Sequence, residues 1–292
     1  MRLHPILFAI GLVACGPAEV PPPSSQAMQA AETETPPKTP RLEQVWLSEG
    51  YSSPEGVAVF DETLLISNVA GEADVKDGIG WISRVSKDGK ILEEKWVEGL
   101  DAPKGMAIHN DILFVADIDT IHTIDAKTGE LLNSFGIDGA GFLNDMTVWN
   151  DTVYASDSAN ASIHQVDENG SGLWITDPIL GGVNGLLGRG DQLLVSTMNE
   201  GLLLSVDADL GLSQLAAGMT DADGIAAFDD GSYVVSSWPG RIWYVSPEGT
   251  STSMLNTETD KTYQNDLTLV DDLIIVPNWE PGTVTAWRVI WD

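Results

Sequence analysis

The sequence predicts an all-β fold, a six-bladed β-propeller with four-stranded blades, over residues 41–292. Three observations carry that expectation. A short polar motif returns six times at a period near forty, each copy is followed by a short β-rich run, and no segment sustains a helical period. The 252 residues involved divide by six into 42, close to the length that builds four strands of one blade.

The elements follow in chain order. Residues 1–14 read as a signal peptide: Arg2 and His4 make a basic start, and Ile6–Ala14 is an apolar run too short to span a bilayer as a helix. The run closes on Leu12-Val13-Ala14-Cys15-Gly16, which resembles a bacterial lipobox. Cys15, the only cysteine in the chain, is therefore the expected lipidation site. Gly16 after it favours the outer membrane, so the chain is expected to be exported across the inner membrane and lipid-anchored in the envelope. Residues 15–40 carry seven prolines among small and polar residues. Such a segment buries too little apolar surface to offset chain entropy, and it reads as a linker.

From residue 41 the repeat begins. Its copies open at Glu55-Gly56, Lys104-Gly105, Asn144-Asp145, Asn184-Gly185, Asp223-Gly224 and Asn265-Asp266, spaced 49, 40, 40, 39 and 42 residues apart. Runs such as Leu64–Ser67, Leu113–Ala116 and Leu193–Ser196 supply the second strands, and turns such as Lys87-Asp88-Gly89 and Lys127-Thr128-Gly129 follow the third. The sixth copy leaves room for about three strands, so Leu42–Leu47 is expected to supply the missing one and close the ring. The first copy is longer because of Gly71–Gly80, expected to be a loop over one mouth. Trp81, Trp96, Trp149, Trp243 and Trp287 read as strand residues packing between blades.

Composition narrows the function. Forty-four acidic against 14 basic side chains give a formal charge of −30, which would repel nucleic-acid phosphates and anionic lipid headgroups. Membrane contact is expected only through the lipid anchor, and the expected partner is a small-molecule substrate. With one cysteine and four histidines, a metal site would be built from oxygen rather than from nitrogen or sulfur. No Gly-x-Ser-x-Gly nucleophile motif occurs.

The first strand of each propeller blade lines the central channel, so Glu55, Lys104, Asn144, Asn184, Asp223 and Asn265 should converge on one mouth. Singly, each motif is ordinary turn chemistry. In register on one ring, two carboxylates and three amide oxygens form an oxygen cage of the kind calcium takes.

The ordered set Glu55-Gly56, Asn144-Asp145, Asn184-Gly185 and Asp223-Gly224 resembles the regucalcin (senescence marker protein)/gluconolactonase family and, more distantly, the paraoxonases. The resemblance implies one divalent cation, most often calcium, held by Glu55, Asn144, Asn184 and Asp223. It implies hydrolysis of lactones or small esters, with Asp223 also the catalytic base. Lys104 departs from the pattern, because an ammonium near a dication repels it. It could instead bridge Glu55 and Asp223 in place of the metal, or turn toward an anionic substrate group. Trp238 and Trp279, in loops after second strands, are candidates for the substrate mouth alongside Lys104 and Asn265. His122 and His164 occupy the same place in consecutive third strands and read as products of the repeat. The competing functional reading is a non-catalytic propeller serving as a binding or scaffold module in the envelope, and a lyase on the same metal scaffold is a third.

Overall fold

The computed structural model describes residues 39–291. The signal peptide, Cys15 and nearly all of the proline-rich linker lie outside the described residues. Within them the chain forms six antiparallel sheets arranged as the blades of a β-propeller. Blades 1 to 5 are four-stranded and run Pro54–Leu100, Pro103–Gly136, Leu143–Thr176, Val183–Ala216 and Ala222–Asn256. Two three-residue 3-10 turns, Pro178–Leu180 and Glu258–Asp260, are the helical segments among the described residues. None of these is long and apolar enough to cross a membrane.

Blade 6 closes the ring. Its inner edge is split between Tyr263–Gln264 and Thr268–Val270, followed by Leu273–Glu280 and Thr283–Ile290, and its outer strand is Arg41–Glu49 from the start of the domain. Leu42 pairs with Val289 and Leu47 with Thr285, so the expected closing strand is in place. A sheet joined from both ends of the domain ties blade 1 to blade 6 and leaves no open seam.

Local chemistry explains the hairpins. Asn110-Asp111 and Asn150-Asp151 connect first to second strands with both residues at positive φ, between 48° and 63°. That is the two-residue turn whose twist matches antiparallel strands, and Asn and Asp tolerate it better than other side chains. Between third and fourth strands, the Asp125 carboxylate accepts from the amides of Lys127 and Thr128 at 2.9 and 2.8 Å.

The core lies between blades rather than within them. One cluster joins Ala58, Leu65, Ile82 and Val97 of blade 1 to Met106, Leu113, Val115 and Ile124 of blade 2. Another packs Trp149 and Tyr154 of blade 3 on Leu186, Leu193 and Leu204 of blade 4. Trp149 donates its indole N–H to Gly190 O of the next blade at 3.1 Å.

All five complete blades share one irregularity. The pairing of first and second strands slips between Pro54 and Val57, Pro103 and Met106, Leu143 and Met146, Val183 and Leu186, and Ala222 and Ile225. The two residues skipped each time are the repeat motif. The sixth copy, Asn265-Asp266, likewise lies between the two short inner strands. A bulge turns the first motif residue toward the axis and leaves the amide of the second without its ladder partner. Second-strand serines take over that amide: Ser67 accepts from Gly56 N at 2.8 Å, Ser156 from Asp145 N at 2.9 Å and Ser196 from Gly185 N at 2.8 Å.

Candidate functional site at one mouth of the ring

The six first motif residues line one cavity of about 300 Å³ together with Ala73, Phe142, Met198, Trp238 and Trp279. Glu55, Lys104, Asn144, Asn184, Asp223 and Asn265 each keep 7% or less of their surface exposed. Every ring position singled out in the sequence thus reaches the same place. The insertion loop contributes Ala73, so it does border the mouth as expected.

The second motif residue is set by how closely the inner strands approach. A Cβ on Gly185 would lie 2.2 Å from Asp223 O, so nothing larger than glycine fits there. At Gly105 the added carbon would meet the Asp145 side chain at 2.4 Å. This glycine makes room for the carboxylate of the next blade. Asp145 fills the space and accepts from Met146 N and Leu186 N at 2.7 and 2.6 Å. Asp266 does the same in blade 6, accepting from Leu267 N at 2.7 Å. Both carboxylates line a second cavity, about 480 Å³, bounded by the C-terminal halves of the inner strands. In the sequence Asp145 and Asp266 stand out only as motif partners. Aspartate where four other blades carry glycine was the available signal.

Four acidic side chains are therefore stacked along the axis, and their charges are poorly compensated. Burial, then repulsion from Asp223, pushes the Glu55 carboxyl well above the ordinary range, while Lys104 pulls it back. Burial and the neighbouring Asp145 push Asp223 up to about 7, against hydrogen bonds from Asn184 and the Gly224 amide. Burial also raises Asp145 to about 7, and it pushes Asp266 well above the ordinary range, with Asp145, Asp223 and Glu55 adding repulsion.

Lys104 does not bridge the acids. Its ammonium donates to Ala73 O at 2.9 Å and Ala102 O at 3.0 Å and lies 4.4 Å from the centre of the Phe142 ring. Two of its three protons hold backbone, one of them the insertion loop. Burial lowers its pKa, opposed by Glu55, Asp117 and Asp74.

The oxygen set suits a hard cation on one direct observation: Asn184 Oδ1 is buried and has no hydrogen-bond partner among the described residues. Asn144 uses its amide nitrogen on Ser158 Oγ at 3.3 Å, which leaves its oxygen available too. Among the described residues no three His, Cys, Asp or Glu side chains are grouped for metal binding. A cation here would need the two amide oxygens as well as the Glu55 and Asp223 carboxylates.

Trp238 and Trp279 stand edge to face with ring centres 6.1 Å apart, and Tyr263 packs against Trp238 at 5.5 Å. His122 and His164 lie outside the cavity. Each faces the aspartate ending the preceding strand, His122 Nε2 at 3.1 Å from Asp117 and His164 Nε2 at 4.0 Å from Asp157. This equivalence is the repeat expressed in space.

Residues 78–290 match the family described as PQQ_2, outer membrane protein assembly factor BamB. The chain belongs to this family. No curated protein matches the sequence. Solved structures with the same architecture include a gluconolactonase from Xanthomonas campestris, at 16% identity and a TM-score of 0.66, with 86% of this chain and 90% of that one covered. The PQQ-bound aldose sugar dehydrogenase of Streptomyces coelicolor aligns at 16% and 0.65, covering 87% and 99%. Virginiamycin B lyase from Staphylococcus aureus, solved with quinupristin, aligns at 14% and 0.61, covering 86% and 100%. At these identities the likeness is one of fold. The BamB-like family thus includes this chain, and the gluconolactonase resemblance of the ring motifs is a narrower matter.

Proposed function

We propose that the ring binds one divalent cation, calcium by preference, through Glu55, Asn144, Asn184 and Asp223, and that the site hydrolyses lactones or small esters. The observation that carries this reading is the convergence of these four side chains in one cavity, with the buried Asn184 oxygen unpartnered. The raised carboxyls of Glu55 and Asp223 add support. Two desolvated acids that repel each other stand to gain from a dication between them. A bound cation would supply Lewis-acid polarisation of the scissile carbonyl oxygen.

The chain's own residues do the rest. Asp223 accepts the proton of the attacking water at its carboxylate, and Asn184 holds that carboxylate in orientation by hydrogen bonding to it. Glu55 acts as a ligand and carries no proton in turnover. Lys104, committed to Ala73 O and Ala102 O, positions the loop at the mouth. Apolar walls from Phe142, Met198, Trp238 and Trp279 reduce the water around the reacting centre. The reading is tested by stripping the protein with chelator and assaying a lactone and ester panel with and without calcium. Calcium-dependent turnover lost in Asp223→Ala and Asn184→Ala supports it, and turnover unchanged in both removes the assigned site.

The BamB family match favours a second reading, a non-catalytic propeller acting as a scaffold in the envelope. A protein that binds no cation and turns over no ester would leave that reading standing. Either way we place the domain on a lipid anchor at Cys15, in the outer membrane. Metabolic labelling with a palmitate analogue, lost in Cys15→Ala, tests the anchor.

A further inference from the structure

We infer that the ring site prefers lactones or esters with an apolar, aromatic or alkyl substituent over sugar lactones. The inference rests on the hydrolase reading above and deepens it to a substrate class. The cavity has two zones. Its floor is polar, built by the six ring residues, while the wall side chains are Ala73, Phe142, Met198, Trp238 and Trp279.

That wall carries only two polar side-chain atoms, the indole nitrogens of the two tryptophans. A sugar lactone bears a hydroxyl on nearly every ring carbon, and each would lose hydrogen bonds to water without recovering them from the wall. Phe142, Met198, Trp238 and Trp279 are each half-buried, so a ligand entering the cavity covers apolar surface that is still wet. The tryptophan pair is braced by Tyr263, and an already ordered aromatic wall loses little entropy on binding. The floor retains the polar groups a carbonyl and its attacking water need. Lys104 is tied to backbone carbonyls and lies over Phe142, so it is poorly placed to greet a polyol.

The experiment compares kcat/KM of the full-length protein, calcium-loaded, for dihydrocoumarin and for glucono-1,5-lactone. Alongside it, tryptophan fluorescence follows titration with 3,4-dihydro-2-quinolinone, the lactam that mimics the first substrate without being cleaved. The inference expects dihydrocoumarin to be favoured at least about tenfold, the discrimination an apolar pocket gives. Trp279→Leu should erode that preference about fivefold through KM, and Met198→Gln, which keeps length but adds an amide, should narrow it without disturbing the fold. Equal turnover, or preference for the sugar lactone, overturns the inference and leaves the hydrolase reading intact. If neither lactone is cleaved, the hydrolase reading fails, and the lactam titration still decides the pocket. Saturable quenching weakened in Met198→Gln supports an apolar-ligand site, and absence of quenching overturns it.

Discussion

Asp117 and Asp223 are both carboxylates buried in the same propeller, on adjacent layers of the repeat, and their electrostatic states are opposite. Asp117 ends a second strand and accepts from the Asp101 and Ala102 amides at 2.8 and 2.7 Å and from His122 at 3.1 Å. Burial pushes it up, but the bonds from His122 and the two amides outweigh burial and hold it below the ordinary range. Asp223 faces the axis, where burial and Asp145 prevail over its hydrogen bonds and raise it to about 7. Burial alone therefore does not separate structural acids from candidate functional ones. What separates them is whether the fold itself compensates the charge. At Asp117 it does, with donors fixed to the preceding loop; at the ring it does not, and the shortfall is where a ligand would act.

The largest expected effect breaks the ring side of the comparison. On the proposed function, Asp223→Ala should lower calcium-dependent kcat/KM about a thousandfold, or about 4 kcal/mol of transition-state stabilisation, because it would remove a ligand and the proton acceptor together. Steady-state kinetics at saturating calcium measures this. Circular dichroism checks that the variant is folded.

The pH dependence of stability comes next. A carboxyl raised in the folded state stabilises the fold fully below its unfolded value near 4, and that contribution is lost as pH rises through the folded value near 7. Without divalent cation, denaturant stability should therefore fall between about pH 4 and pH 7, by up to about 4 kcal/mol for a shift the size of Asp223's. Saturating calcium should flatten or reverse that slope, and Asp223→Asn should reduce it in chelated protein. A chelated protein as stable at pH 7 as at pH 4 would show that the ring acids are compensated after all.

Asp117→Ala attacks the other side. It strips a fixed acceptor from the buried Ala102 amide, the half-buried Asp101 amide and His122, and should cost about 2–3 kcal/mol in urea unfolding. Calcium affinity should change far less than in Asp223→Ala, since Asp117 reaches the ring only at one remove, through Lys104 and the Ala102 peptide that both of them hold. The smallest effect belongs to Lys104→Asn. Removing the ammonium should tighten calcium about tenfold, as expected for one screened unit charge near the site. Calorimetry reads it directly.

The repeat made most of the architecture legible. Six copies at near-constant spacing located the blades, the closing strand and the six ring positions, because symmetry turns spacing along the chain into placement around an axis. The glycine half of the motif, however, reports packing. Gly185 is required by Asp223 O, and Gly105 makes way for Asp145, so any tightly closed ring of this kind asks for small residues there. In the four glycine-bearing copies only the first motif residue speaks of chemistry, while in blades 3 and 6 the second residue, Asp145 or Asp266, adds a buried acid to the axis. Lys104's partners are backbone carbonyls, one on an insertion with no counterpart in other blades, and residue type gives no sign of them. Met198 stands at the end of its second strand, the place Trp238 and Trp279 hold in blades 5 and 6, so the repeat could have marked it, whereas Phe142 precedes its first strand and carries no such signal.

On the proposed function the ring acids stay uncompensated until a cation binds, and isothermal titration of calcium into chelator-stripped protein at pH 7, with Asp223→Asn and Asp117→Asn run in parallel, tests this most directly. The expected result is one ion per chain for wild type and for Asp117→Asn, and none for Asp223→Asn. No heat of binding in wild type up to millimolar calcium, or equal binding in Asp223→Asn, would contradict it.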